Sequence, residues 1–353
     1  RQRQMCIRDR YKPYKLTRAA FGLGLFWIIN GLIKKVVLAD YIASNFADRV
    51  FAQPTLYSGF ECLLALFAYS LQVYADFSGY TDVAIGVALL MGFTLTKNFN
   101  SPYKAINVGD FWKRWHISLS SWLKDYLYIP LGGNREGSFA SYLIIFLSFF
   151  VLGIMAESWK APAFLGFSSL LVFLLTKWIT KFRKWLNTNI NLMLTMLLGG
   201  LWHGSSWNFV FWGGLNGLGL VVYKFWKNVR PWNPKSSLLT RFFGITTTLF
   251  FVTFTRAWFR SESWESAISI LSRIWTSFDI SIADDILFGF WRPLGLMVIG
   301  YLIHWIPERQ KSWYREAFTN APLFIQWMIS ALTILLLYQA MVADSQPFIY
   351  FQF

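Results

Sequence analysis

Residues 185–223 contain no Asp, Glu, Lys or Arg. As one continuous helix this run would reach roughly 58 Å at 1.5 Å per residue, about twice the thickness of a bilayer core. The run therefore has to fold back on itself, and Gly199-Gly200 with Gly204-Ser205-Ser206 place the break near its middle. Three more charge-free runs, 139–156, 161–176 and 321–343, span or nearly span a bilayer as helix. Shorter ones lie at 19–33, 62–75, 83–96, 242–255 and 293–306. Only 14% of the residues are charged, where a soluble domain carries about a quarter. The expected class is an all-α, polytopic integral membrane protein.

The net charge of +15 does not argue for nucleic acid. The basic residues flank apolar spans rather than tiling a soluble face, which is the pattern of cytoplasmic loops and contacts to anionic headgroups. They gather in three loops, 97–135, 177–184 and 224–241. If all three share one side, each apolar segment between them crosses an even number of times. A hairpin of 139–156 and 161–176 around residues 157–160 obeys this, as does a folded 185–223. Cys6 and Cys62 form neither a metal spacing nor a disulfide framework, and Cys62 reads as apolar core. The chain opens at Arg1 without an initiator Met or signal peptide, and residues 1–10 are expected to be a non-native scar. Residues 11–353 then form a single membrane domain.

The chain has three histidines. His203, in Leu201-Trp202-His203-Gly204, falls at the expected break, and a titratable ring in apolar surroundings is costly unless it is paired. Two readings stay open: a structural histidine bonding a carbonyl freed by the glycines, or a general base for a hydroxyl proton. His116 lies in a stretch where Trp112, Trp115, Leu119, Trp122, Tyr126 and Ile129 recur every three or four residues, which predicts one amphipathic helix over 111–129. That helix would set His116 on the apolar arc, with Lys113, Arg114, Ser121, Lys124 and Asp125 opposite, and lie at the interface. On its own, His116 reads as structural. His304, between a span and Pro307, reads as interfacial. Asp76 and Asp82 punctuate two apolar segments, as helix caps or a membrane-edge turn, or as part of an ion or proton pathway. Leu131-Gly132-Gly133-Asn134 reads as a turn. The histidines do not have zinc spacing and no GxSxG elbow is present, so neither a metal site nor a serine hydrolase is expected.

Residues 111–120 (Phe-Trp-Lys-Arg-Trp-His-Ile-Ser-Leu-Ser) and the following Trp122-Leu123-Lys124-Asp125-Tyr126 through Ile129-Pro130-Leu131-Gly132-Gly133-Asn134 resemble a signature of the membrane-bound O-acyltransferase family. The similarity is greatest to its alginate O-acetyltransferase branch. Gly200-Leu201-Trp202-His203-Gly204 with Trp207-Asn208-Phe209 and Trp212-Gly213 is similar to the second signature, which holds the family's invariant histidine. Asp76-Phe77-Ser78-Gly79-Tyr80-Thr81-Asp82, Arg256-Ala257-Trp258-Phe259-Arg260 and residues 347–353 also resemble that branch. The resemblance implies helices around a central tunnel. It also implies transfer of an acyl group, acetyl foremost, from a cytoplasmic thioester such as acetyl-CoA, with no tightly bound cofactor, to hydroxyls of an exported polysaccharide such as alginate. His203 would deprotonate the acceptor, and His116 would orient or polarise the thioester. Trp202, Asn208, Trp115 and Ser118 are candidate substrate-binding residues, with the Asn208 amide and the Trp202 indole as possible oxyanion donors. The setting would be a bacterial inner membrane, with a periplasmic acetyl-transfer partner protein. Relative to the family pattern the chain looks N-terminally truncated, and the hairpin at about 139–176 looks additional. Three alternatives are D-alanyl or other acyl transfer to a cell-wall polymer, a proton-coupled transporter, and an inactive scaffold. The Ile-Pro-Leu-Gly-Gly-Asn run weighs against the first. The second predicts two related halves with discontinuous helices, and no internal repeat stands out.

Overall fold

The computed structural model describes residues 15–134, 180–229 and 237–341, with a few isolated positions between 159 and 167. The expectations for residues 1–10 and 347–353, and nearly all of the hairpin expected at 139–176, lie outside the described residues. Within them every regular element is helical.

Helix α1 (Arg18–Ala52) starts at Thr17, whose hydroxyl accepts from the Ala20 amide at 3.2 Å. From Lys34 it loosens into π-helical turns over Lys34–Asp40 and Ala43–Ala47. Helix α2 (Gly59–Leu90) opens on a capping box: Ser58 Oγ accepts from the Glu61 amide, and Glu61 Oε2 accepts from the Ser58 amide. The two helices cross with almost no side chain between them. A Cβ on Gly31 would sit 2.4 Å from the Gly79 carbonyl oxygen, and one on Gly86 would sit 2.5 Å from that of Gly24.

That crossing corrects the reading of Asp76 and Asp82 as caps or a turn, since both lie inside one unbroken helix of 32 residues. Lys34 Nζ is 2.6 Å from Asp82, and Lys35 Nζ is 2.6 Å from Asp76 and 2.8 Å from Asp40. Asn30 also donates to Asp82 at 2.7 Å. Because the charges are neutralised across the contact, the helix has no need to break and bring them to water.

Two short helices follow, α3 (Val108–Arg114) and α4 (Ile117–Leu123), and α4 runs on through a π-helical turn, Lys124–Tyr128. The single amphipathic helix expected over 111–129 is therefore not formed. Trp115 is extended and His116 is left-handed at φ 44°. The break is held by residues 98–100: the Ile117 amide donates to the Asn98 carbonyl, and the Asn100 amide donates to that of Arg114, each at 2.9 Å. Periodicity cannot register partners 14 and 19 residues away. The turn after Ile129 forms as expected, with Gly132 and Gly133 at positive φ.

Helices α5 (Thr180–His203) and α6 (Trp207–Val229) make the expected fold-back. The break lies at residues 204–206 alone. Gly199 and Gly200 are helical, and Gly200 instead admits α6, since a Cβ there would lie 2.2 Å from the Phe209 carbonyl. Helix α7 (Leu238–Arg260) and the amphipathic α8 (Trp264–Thr276) pack on α2. Helices α9 (Ala283–Gly289) and α10 (Trp291–Trp305) meet at 89°, and α11 (Glu308–Asn320) and α12 (Leu323–Met341) at 113°. Helices α1, α2 and α7 are long and apolar enough to cross a membrane, and each bent pair has the composition of one broken span. His304 is not interfacial. It is 3% exposed, and its Nε2 accepts from the Tyr103 amide at 3.1 Å. The loop at residues 101–105 folds over it and gives the ring a backbone partner.

Candidate active site

His203 is the last residue of α5, and its ring stands edge-on to Trp212 at 5.2 Å and Phe259 at 5.4 Å. It bounds a cavity of about 20 Å³, room for one water-sized group. Four elements supply the other walls: Val73 and Phe77 from α2, Phe111 and Trp115 at the end of α3, Trp212 and Asn216 from α6, and Val252, Arg256 and Phe259 from α7. The lining is mostly apolar, with His203, Asn216 and Arg256 as its polar members, as ligand sites tend to be.

His116 does not itself line this cavity; its ring packs edge-on at 4.7 Å against Phe77, which does. Asn98 organises this side. Its Oδ1 accepts from the Ser118 amide and hydroxyl, each at 3.0 Å, and lies 3.3 Å from His116 Nδ1. An oxygen that takes a backbone N–H is an acceptor, so the Asn98 contact favours the tautomer with the proton on Nδ1 and the lone pair on Nε2, and Ser118 Oγ lies 3.4 Å from the same Nδ1. Burial lowers the His116 pKa to about 4, so the ring is neutral near pH 7.

Of the residues expected to bind substrate, Trp115 is buried and lines the cavity. Ser118 belongs to the Asn98 cluster. Trp202 and Asn208 are not among the cavity's lining residues. Trp202 is 59% exposed, and the buried Asn208 commits its amide to the Ser261 carbonyl at 2.9 Å. Asn98, Asn216, Phe77 and Arg256 were not foreseen as site residues. Phe77 and Arg256 fall in blocks that carry the resemblance, and Arg256 is also a cation directly following the apolar run 242–255.

A second cavity, about 160 Å³, lies between α1, α2, α10 and α11. Lys34, Lys97, Lys311 and Arg315 line it against Asp82 and Glu308, and it extends to Asn98, the residue that holds His116.

A helical membrane bundle with a histidine at a broken hairpin beside a narrow buried cavity defines a class of polytopic membrane proteins. Within that class, the model of the membrane-bound O-acyltransferase family matches residues 3–184, and the chain belongs to this family. The matched residues include His116 and end before His203. The chain is 36% identical over 265 residues to the peptidoglycan O-acetyltransferase of Helicobacter pylori, an alignment covering 75% of this chain and 41% of that protein. It is 38% identical over 214 residues to the "Probable alginate O-acetylase AlgI" of Azotobacter vinelandii, covering 61% of this chain and 33% of the relative. It is 30% identical over 200 residues to the teichoic acid D-alanyltransferase of Bacillus subtilis, covering 54% and 39%. The aligned part is thus well under half the length of each of these relatives.

Proposed function

We propose that this chain carries the reaction centre of an O-acyltransferase that moves an acetyl group from a thioester donor to hydroxyls of an exported polysaccharide, in a bacterial inner membrane. The observation that carries the reading is the convergence of His203 and the His116–Phe77 pair on one small, apolar, buried cavity. In such a place a neutral imidazole retains its lone pair, water is scarce, and the acceptor hydroxyl meets the thioester in a fixed orientation. His203 takes the hydroxyl proton as the oxygen attacks the thioester carbonyl. The C–S bond then breaks, and the thiolate leaves with the proton that His203 returns. His116, its Nδ1–H held by Asn98, offers a lone pair at Nε2 and so orients the donor rather than polarising its carbonyl.

The second cavity supports a phosphorylated thioester such as acetyl-CoA, because its cations outnumber its carboxylates and it leads to Asn98. The names of the relatives support a polysaccharide or cell-wall acceptor. D-alanyl transfer, which the Bacillus subtilis relative's name raises, is the second reading, and the acyl group found on the polymer tells the two apart. In the acetyl-transfer reading a periplasmic partner protein completes transfer to the polymer.

The test is polymer O-acetylation in cells, wild type against His203→Ala at matched membrane levels. The expected outcome is loss of acetylation, by roughly a hundredfold or more if general-base catalysis is removed, with insertion unchanged. Unchanged acetylation would make His203 structural and sink the assignment.

A further inference from the structure

Arg256 is 4% exposed near the end of α7 and forms part of the same cavity wall as His203. Its Nη1 donates to the Ser70 carbonyl at 3.0 Å and to the Tyr103 hydroxyl at 2.5 Å. The Tyr103 hydroxyl in turn donates to the same Ser70 carbonyl. The guanidinium lies 4.6 Å over the Trp115 ring and 5.4 Å over that of Tyr103. Among the described residues no carboxylate comes within ion-pair distance of it, although Lys34, Lys35 and, one turn later, Arg260 each hold an aspartate. The bundle neutralises those cations and leaves this one, at the reaction cavity, with only neutral partners.

A buried cation without a counterion is costly, and the cost is met where the site will develop negative charge. Attack on a thioester does this: as the hydroxyl oxygen bonds to the carbonyl carbon, the π pair moves onto the carbonyl oxygen. The cavity has few other groups to meet that charge. Asn216 already gives its Nδ2 to the Trp212 carbonyl and Thr255 Oγ1, and the His116 Nδ1–H is engaged with Asn98.

We propose that the Arg256 guanidinium stabilises the oxyanion of the tetrahedral intermediate formed beside His203, a role that rests on the acyltransferase reading above. Arg256 exchanges neither proton nor electrons. Ser70, Tyr103 and Trp115 hold it in place before the reaction, so no reorganisation is needed as charge appears. When the intermediate collapses, the oxyanion re-forms the carbonyl, the C–S bond breaks, and the thiolate takes the proton from His203.

The experiment uses membrane vesicles from cells making the full-length protein, [14C]acetyl-CoA as donor, and label counted in the polysaccharide fraction. It compares wild type, Arg256→Gln and Arg256→Lys, with thermal melting of each purified protein in detergent. Arg256→Gln is expected to lower Vmax by roughly 10²–10³-fold with little change in KM for acetyl-CoA or in melting. Arg256→Lys keeps the charge and is expected to retain much more activity. If Arg256→Gln does not fold, methylguanidinium added to Arg256→Ala vesicles decides: restored label supports the role, and no restoration overturns it. A Vmax for Arg256→Gln within about threefold of wild type, well short of that expected range, or a loss confined to KM, overturns it too. Wild-type vesicles that retain their periplasmic contents and still transfer no label overturn the acyltransferase reading as well. A normal wild-type rate with an undiminished Arg256→Gln rate overturns this proposal alone.

Discussion

At the scale of single residues, His116 shows how local geometry sets chemical state. Its left-handed backbone is strained for a residue with a Cβ, and the surrounding contacts over-determine it: Asn98 takes the side chain and the two amides that follow, Ile117 and Ser118. The same burial makes the ring pH-sensitive. Its pKa in the fold, about 4, lies below the ordinary 6.5. Between those values the unfolded chain binds a proton that the folded one refuses. Stability is therefore full above pH 6.5 and falls as the pH drops toward 4. Melting in detergent at pH 7 and pH 5 should show a smaller acid loss for His116→Gln than for wild type. Equal losses would mean that the ring is not buried as described. The aromatic block around His116 was legible in the sequence. The break that aims it was not, because Asn98 lies outside the periodic pattern.

Among the elements, the α1–α2 crossing combines close glycine contact with buried charge. Breaking a buried pair by removing one partner leaves the other charge unpaired, which typically costs about 3–5 kcal/mol. Asp82→Ala, which strands Lys34, should destabilise the protein by that order in denaturant titrations in micelles. Lys34→Met combined with Asp82→Leu should recover most of it, because neither charge then remains. A double variant as unstable as Asp82→Ala would show that the pair does more than neutralise itself. The aspartates read from sequence as punctuation because a charge inside an apolar run usually marks an end. Here the compensating lysines lie 40 to 50 residues upstream, beyond the reach of any local pattern.

At the scale of the whole molecule, the α5–α6 hairpin, which the length of the charge-free run leads one to expect to cross the bilayer and return, offers a test of sidedness. Residues 180–184 and 224–229 lie at one end of the hairpin, and residues 204–206 beside His203 at the other. Cysteines at the exposed positions Lys184 and Lys227 should react with an impermeant maleimide from one side of the membrane, and one at Ser205 only from the other. Labelling of all three from one side would remove the crossing and place His203 at the wrong depth. The sequence by itself determined that the chain is helical and membrane-embedded, that 185–223 doubles back, and that His203 falls at the fold. Bilayer thickness and the need to satisfy every backbone polar group leave a charge-free run of that length few other choices. Only the tertiary structure decided what His203 faces. The cavity joins side chains from α2, α3, α6 and α7, and Arg256 enters it because Ser70 and Tyr103, more than 150 residues away, fix its guanidinium there. Such placement arises from long-range packing between helices, which no local spacing encodes.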